Sequence, residues 1–329
     1  MIEIPERIHL ANLPTKIERL DRLSKELGGP DIYIKRDDQT STEYSGNKVR
    51  KLEYTMKDAI DKGCNYVITC GGIQSNHARA TAAIAAKLGM KSCLVLRGDK
   101  ETEPDGNLFL DKLLGADVRF ITPDEYKYKR TQIMENIKLE MENKGFKPYI
   151  IPEGASDGIG IFGYYTAMEE IMAQEKEMGV HFDGIAIATG SGGTYSGLFL
   201  ASKLLNNPIP IYGVNVCDDE EYFKNRISEI INEGLSRIDE DLSFSKDEIH
   251  IIDGYVGEGY ALSNPKLRQF ICDFAKLEGI ILDTCYTGKA MYGLTEEIKK
   301  GMFKNHKNIL FIHTGGLFGL FPSKNLFQF

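Results

Sequence analysis

Short apolar runs alternate along this chain with longer segments whose apolar residues return every three or four positions. Residues 14–28 carry Ile17, Leu20, Leu23 and Leu27 at helical spacing, and Gly28-Gly29-Pro30 stops the predicted helix. Residues 31–35 read as a short strand. Val49, Leu52, Met56 and Ile60 then predict a helix capped by Gly46-Asn47, with Lys48 among its first residues. The strand 66–70 leads through Gly71-Gly72-Ile73-Gln74-Ser75-Asn76 into an alanine-rich helix over 77–88. The alternation continues with 92–96, 108–114, 118–122 and a long charged helix within 123–144. Such succession implies a parallel sheet with helices packed on it.

A second series starts near Tyr149-Ile150-Ile151-Pro152. It runs through a helix over 160–178, a strand over 184–188, a glycine-rich turn, another helix and a strand over 209–216. The charged stretch 218–248 is less regular and reads as a surface excursion. Alternation returns with His250-Ile251-Ile252, a helix over 265–277, a strand over 280–282, a helix over 288–300 and a strand over 309–313. No fixed-period repeat or linker divides the chain, so two closely packed parts, discontinuous in sequence, are expected. A length of 329 residues agrees, being long for one hydrophobic core.

Composition narrows the partners. A net charge of -8 without an extensive basic cluster argues against nucleic acid and leaves small metabolites. The six cysteines are scattered without a C-x-x-C pair, as in a reduced, cytoplasmic protein. No apolar run reaches the length of a membrane span, and the acidic N-terminus does not resemble a signal peptide. No membrane partner and no metal site are expected.

Chemistry is sought in the loops leaving strand ends, where open α/β sheets bind ligands. Lys48 stands at a helix N-terminus, whose partial positive charge disfavours an ammonium and favours the nucleophilic amine. A solvated basic run with Arg50 and Lys51 is the plainer reading. Thr189-Gly190-Ser191-Gly192-Gly193-Thr194, between an apolar strand and a helix, has the makings of a phosphate cradle: converging N–H groups and a helix dipole. Tyr195 occupies the third glycine position of a dinucleotide fingerprint, so a phosphate monoester fits better. Ser75 and Asn76 lie at a helix start that would receive a substrate carboxylate or merely cap the helix, with His77 beside them. Tyr286, in Asp283-Thr284-Cys285-Tyr286-Thr287-Gly288-Lys289, is expected to point into the crevice, and Thr314, in His313-Thr314-Gly315-Gly316, to bond a ring nitrogen or end its strand.

Together, residues 45–54, 71–77, 189–194, 283–289 and 313–316 resemble the D-cysteine desulfhydrase and 1-aminocyclopropane-1-carboxylate deaminase family over essentially the whole chain. These are pyridoxal-phosphate enzymes of fold type II, the tryptophan-synthase-β-like fold of two open, twisted, mostly parallel sheets with flanking helices. The resemblance implies pyridoxal 5'-phosphate joined to Lys48, its phosphate held by Thr189, Gly190, Ser191, Gly192, Gly193 and Thr194, and Asn76 on the ring 3-oxygen. Thr287 and Thr314 would lie near the ring. Ser75, Asn76, His77, Tyr260 and Tyr286 would meet a small amino-acid substrate, with Lys48, Ser75 and Tyr286 catalytic. It also implies a homodimer, with a larger cofactor-binding domain of residues 1–48 and 161–329 and a smaller inserted domain of residues 49–160.

One position divides the family. The cyclopropane deaminases carry a glutamate after the tyrosine that matches Tyr286, whereas this chain has Thr287. A hydroxyl does not hold the pyridine nitrogen protonated, which suits β-elimination better than ring opening. The expected reaction is therefore D-cysteine to pyruvate, sulfide and ammonia. The deaminase, or a lyase acting on D-serine, β-chloroalanine or cysteate, is the alternative. From other classes, a nicotinamide dehydrogenase using the glycine turn and Asp218-Asp219, or a non-catalytic amino-acid sensor, remains open.

Overall fold

The structure, a computed structural model, describes residues 2–329. In chain order its elements are β1 (Ile17–Arg19), α1 (Asp21–Leu27), β2 (Asp31–Lys35), α2 (Asn47–Asp61), β3 (Tyr66–Gly72), α3 (Asn76–Lys87) and β4 (Lys91–Arg97). There follow α4 (Gly106–Leu113), β5 (Asp117–Ile121), α5 (Pro123–Asn143), β6 (Pro148–Ile150), α6 (Phe162–Met178), β7 (Gly184–Thr189), α7 (Gly193–Leu204) and β8 (Ile211–Asn215). The chain closes with α8 (Glu220–Ile238), β9 (His250–Ile252), α9 (Pro265–Glu278), α10 (Thr287–Lys299), β10 (Asn308–Ile312) and α11 (Leu317–Leu320).

The strands form two sheets. One has the order β1-β2-β10-β7-β8-β9 and is parallel except for β1; the other, β5-β4-β3-β6, is wholly parallel. This is the expected α/β architecture of two mostly parallel sheets with flanking helices. In the six-stranded sheet, Ile185, Ile187, Leu310 and Ile312 join one core, while Ala186, Ala188, Ile309 and Phe311 join another. Successive side chains point to opposite faces, and both faces are covered, which is why these strands read as unbroken apolar runs. Three of the loops that attract chemical interest leave the carboxyl ends of β3, β7 and β10.

Three expectations need correction. Residues 14–28 are not one helix: Ile17, Glu18 and Arg19 pair antiparallel with Lys35, Ile34 and Tyr33, and the helix starts only at Asp21. The stretch 218–248 is not merely a surface excursion, because α8 buries Phe223, Ile227, Ile230, Ile231 and Leu235 at helical spacing. Residues 280–282 join neither sheet; Ile280 and Leu282 are buried and Ile281 is exposed, an alternation without a ladder. No helix among the described residues is long and apolar enough to cross a membrane.

Candidate active site

Lys48 lies in the first turn of α2. Gly46 precedes that helix with φ of 104°, and a side chain there would come within 2.6 Å of the Thr314 carbonyl, so glycine lets the two loops close on each other. The Asn47 N–H donates to that carbonyl at 3.2 Å, and its side-chain amide donates to the Thr194 hydroxyl at 2.9 Å. Two bonds thus fix the Lys48 backbone against the loops leaving β10 and β7. Lys48 Nζ lies 3.2 Å from Asn47 Oδ1, and its pKa is pulled down to about 8. Burial is the principal cause, opposed by the charge of Glu153; the direction matches the expectation from the helix dipole, but desolvation supplies it.

The neighbouring basic residues are not a solvated run. Arg50 is buried and bonded to both Asp37 and Glu170. Lys51 is buried with Nζ 3.1 Å from Ser156 Oγ, and burial followed by repulsion from Lys48 drives its pKa well below the ordinary lysine value.

The Gly71–His77 loop faces Lys48 across the cleft. Ser75 caps α3, its Oγ accepting the Ala78 N–H at 3.1 Å, and any side chain at Gly71 would sit 2.5 Å from that hydroxyl. Asn76 Oδ1 accepts a bond from Asn107 Nδ2 at 2.9 Å, an assignment that directs the Asn76 NH2 away from Asn107. Asn107 is itself gripped by Gln74 and Arg79. His77 is buried; its Nε2 meets Thr69 Oγ1 at 2.8 Å, and the Thr69 proton goes to the Ile151 carbonyl. Nε2 is therefore assigned the hydrogen; Nδ1 makes no hydrogen bond among the described residues, although the Pro152 backbone lies near the ring. Burial holds this imidazole neutral, far below its usual pKa.

The third wall is the turn from β7 into α7. Gly192 adopts φ of 84°, and a side chain at Gly193 would strike Ser156 Oγ at 2.6 Å. The first intrahelical bond runs from the Ser196 N–H to the Gly192 carbonyl, so the preceding N–H groups remain free at the helix start. Thr189 Oγ1 is buried without a partner, and Ser191 Oγ bonds Ser156 Oγ at 2.8 Å. This glycine cradle with free N–H groups and an orphaned hydroxyl fits the phosphate of a small cofactor, and the half-buried amine of Lys48 beside it fits the cofactor aldehyde.

Tyr286 immediately precedes α10 and lines the cleft, its ring 3.0 Å from where a side chain at Gly190 would begin. Its hydroxyl bonds that of Tyr260, and burial keeps both phenols protonated, with pKa values well above 10.

Lys48, Ser75, Asn76, His77, Thr189, Gly190, Ser191, Gly192, Thr194, Tyr260, Tyr286 and Thr314 all line one cleft. Gly193 and Thr287 do not. Gly193 packs against Ser156 behind the loop. The Thr287 hydroxyl donates to Asp283 Oδ1 at 2.6 Å and accepts the Asp283 N–H at 2.9 Å, so it faces its own turn rather than a bound ring. Glu153 and Gly154 also line the cleft. Both escape the sequence reading, although they follow β6, where the rule that ligands gather at carboxyl ends of parallel strands points. A larger groove of about 880 Å³ lies between α1, α9 and α10, but its lining, including Leu27, Lys266, Phe270 and Glu296, brings no nucleophile to a cradle.

A lysine opposite a glycine-rich turn, between two mostly parallel sheets, is an arrangement that fits pyridoxal phosphate. Residues 8–315 match the family model of the pyridoxal-phosphate dependent enzymes, and the chain belongs to that family. It is 44% identical to a putative 1-aminocyclopropane-1-carboxylate deaminase of Thermotoga maritima over 318 residues, 96% of this chain and 97% of the relative. It is 40% identical to a mitochondrial bifunctional D-cysteine desulfhydrase/1-aminocyclopropane-1-carboxylate deaminase of Arabidopsis thaliana, covering 95% of this chain and 78% of that one. A crystal structure described as a 1-aminocyclopropane-1-carboxylate deaminase homologue superposes with a TM-score of 0.90 at 39% identity, covering 98% of this chain and 95% of that one.

Proposed function

We propose that this pyridoxal-phosphate-dependent enzyme is a deaminating lyase for a small amino acid, and that D-cysteine, converted to pyruvate, sulfide and ammonia, is the substrate its geometry supports best. The observation that carries the reading is the placement of the Lys48 amine in one cleft between the glycine turn and the Ser75 loop. Lys48 would bind the cofactor aldehyde, and the N–H groups and hydroxyls of residues 189–194 its phosphate. Asn76, oriented by Asn107, would donate to the ring 3-oxygen, and Thr314 would face the ring nitrogen. When bound, the cofactor supplies the electron sink that makes the substrate α-hydrogen acidic.

The chain's own groups have distinct tasks. Ser75 Oγ accepts from the Ala78 N–H, so its hydroxyl hydrogen remains available to the substrate carboxylate at the start of α3. Lys48, which would hold the cofactor aldehyde, is placed to take the α-proton. Tyr286, protonated and held by Tyr260, gives a proton to the departing sulfur. Water hydrolyses the released enamine to pyruvate and ammonia.

The residue at 287 supports elimination: with its hydroxyl spent on Asp283, no carboxylate at that position reaches the ring nitrogen. The second reading, ring opening of 1-aminocyclopropane-1-carboxylate to 2-oxobutyrate and ammonia, is favoured by the names of the relatives. The Arabidopsis relative carries both names. The two sheets support a larger lobe of residues 1–48 and 161–329 with residues 49–160 inserted. A homodimer in the cytoplasm completes the proposal.

The test is to incubate purified holoenzyme with D-cysteine, L-cysteine and 1-aminocyclopropane-1-carboxylate and to measure sulfide, pyruvate and 2-oxobutyrate. Sulfide with pyruvate from D-cysteine is expected; 2-oxobutyrate alone would replace the first reading by the second. Lys48→Ala should abolish both the visible absorbance of lysine-bound cofactor and turnover. Retention of either removes Lys48 from its role.

A further inference from the structure

Beyond the tyrosine pair lies a second cavity of about 180 Å³, which shares Asn76, Tyr260 and Tyr286 with the cofactor cleft. Arg97 lines it. This arginine ends β4 and is the register partner of Gly72 on β3, so it stands beside the Ser75 loop at the carboxyl ends of that sheet. A side chain at Gly72 would touch both the Tyr260 ring at 3.6 Å and the Arg97 guanidinium at 3.9 Å. Glycine at that position keeps the space between them open.

The surroundings of Arg97 are unusual for a half-buried arginine. Among the described residues no carboxylate lies within ion-pair distance and no acceptor bonds its N–H groups. Its guanidinium rests instead over two aromatic rings, 5.2 Å from the centre of Tyr126 and 5.3 Å from that of Tyr260. Stacking fixes the plane of the cation but satisfies none of its hydrogen-bonding capacity. The one carboxylate in the cavity wall, Asp283, is occupied by the N–H groups of Cys285, Tyr286 and Thr287 and by the Thr287 hydroxyl. The cavity therefore holds a fixed, unpaired cation on the far side of the proton donor.

We infer that this cavity is a leaving-group chamber in which Arg97 binds the anion expelled from the substrate β-carbon. The inference rests on the elimination reading above and deepens it. As the α-proton passes to Lys48, the bond between Cβ and sulfur breaks and its electron pair leaves with sulfur. Sulfur departs as hydrosulfide, the anion that meets Arg97, and the proton of Tyr286 reaches it only afterwards to give hydrogen sulfide. The remaining three-carbon enamine takes up water and gives pyruvate and ammonia, so no further oxidant or reductant is required. An unpaired guanidinium past the tyrosine pair stabilises the departing charge and draws it away from the carbon it left. The substrate class implied is an amino acid whose β-substituent leaves as a small anion. A cyclopropane ring, which expels none, would gain nothing from it.

The test uses holoenzyme and bromide, a heavy monovalent anion. Crystals soaked in sodium bromide are expected to show anomalous density against the Arg97 guanidinium, absent from the Arg97→Gln holoenzyme. In solution, bromide should inhibit elimination from D-cysteine and β-chloro-D-alanine competitively, and Arg97→Gln should weaken that inhibition and lower kcat/KM, each by about tenfold. The visible spectrum of the lysine-bound cofactor should not change. No bromide at Arg97, or inhibition untouched by the substitution, overturns the chamber. Failure of the elimination reading itself is separately visible, as an absence of pyruvate from the unsubstituted enzyme while the anion site is still read in the crystal.

Discussion

At the scale of single residues, the role proposed for Lys48 turns on how much of its amine is neutral. The principal influence on its amine is burial, which lowers the pKa from the ordinary 10.5 to about 8. Covalent capture of the cofactor aldehyde needs the unprotonated amine. Below pH 8 that fraction grows about tenfold with each pH unit, and above it the fraction saturates. The rate at which cofactor-free enzyme gains the absorbance of lysine-bound pyridoxal phosphate should therefore rise with pH and level off near 8. A profile still climbing steeply at about pH 10 would mean that the amine is solvated like a free lysine. The sequence shows a lysine at a helix start, and the loops at strand ends led to most of the cleft. It does not show that Arg50 and Lys51 are buried, because the partners Asp37, Glu170 and Ser156 come from distant parts of the chain. Asn107, which orients Asn76, lies 31 residues away on another helix, and no local pattern joins the two.

At the scale of elements, α8 shows how composition can mask periodicity. Charged residues dominate 218–248, yet Phe223, Ile227, Ile230, Ile231 and Leu235 recur at intervals that place them on one face. That face packs into the same core as Leu198, Phe199 and Leu200 of α7, the helix whose start forms the glycine cradle. The opposite errors, at residues 14–19 and 280–282, involve segments too short for either period to be decisive. Ile17 fits a helical pattern and a strand equally well until β2 supplies a hydrogen-bonding partner. Residues 280–282 have a strand's alternation without any neighbour to pair with. Because Ile230 is fully buried, Ile230→Ala should cost about 2–5 kcal/mol through lost contacts and an unfilled cavity. The check is a lower urea midpoint with an unchanged slope; a loss under about 1 kcal/mol would mean that α8 rides on the surface as its composition suggested.

At the scale of the whole molecule, a buried ionic network ties the cleft to the rest of the fold. Arg50 bonds Asp37 at 2.8 and 2.9 Å and Glu170 at 3.0 Å through two nitrogens, while Lys35 reaches Glu170 at 2.6 Å. Thr15 and Tyr164 complete the Asp37 shell at 2.7 and 2.5 Å. These residues join the N-terminal segment, β2, α2 and α6, and they anchor α2 one half-turn beyond Lys48. Burial alone would raise the Asp37 carboxyl pKa, but the charges of Arg50 and Lys35 outweigh it and leave the group below the usual carboxylate range; Glu170 is lowered in the same way, chiefly by Arg50. A pKa depressed in the folded state stabilises the fold above the unfolded value of about 4, and that contribution disappears as pH falls through the folded value. Asp37→Asn removes the charge and leaves Arg50 short of a partner, so a loss of about 3–5 kcal/mol is expected near pH 7. The difference in Tm between the two proteins should then narrow as pH drops below about 4, because acid protonates in the parent what the substitution has already neutralised. A Tm difference that stays constant from neutral to acid pH would show that Asp37 acts through packing rather than through its charge.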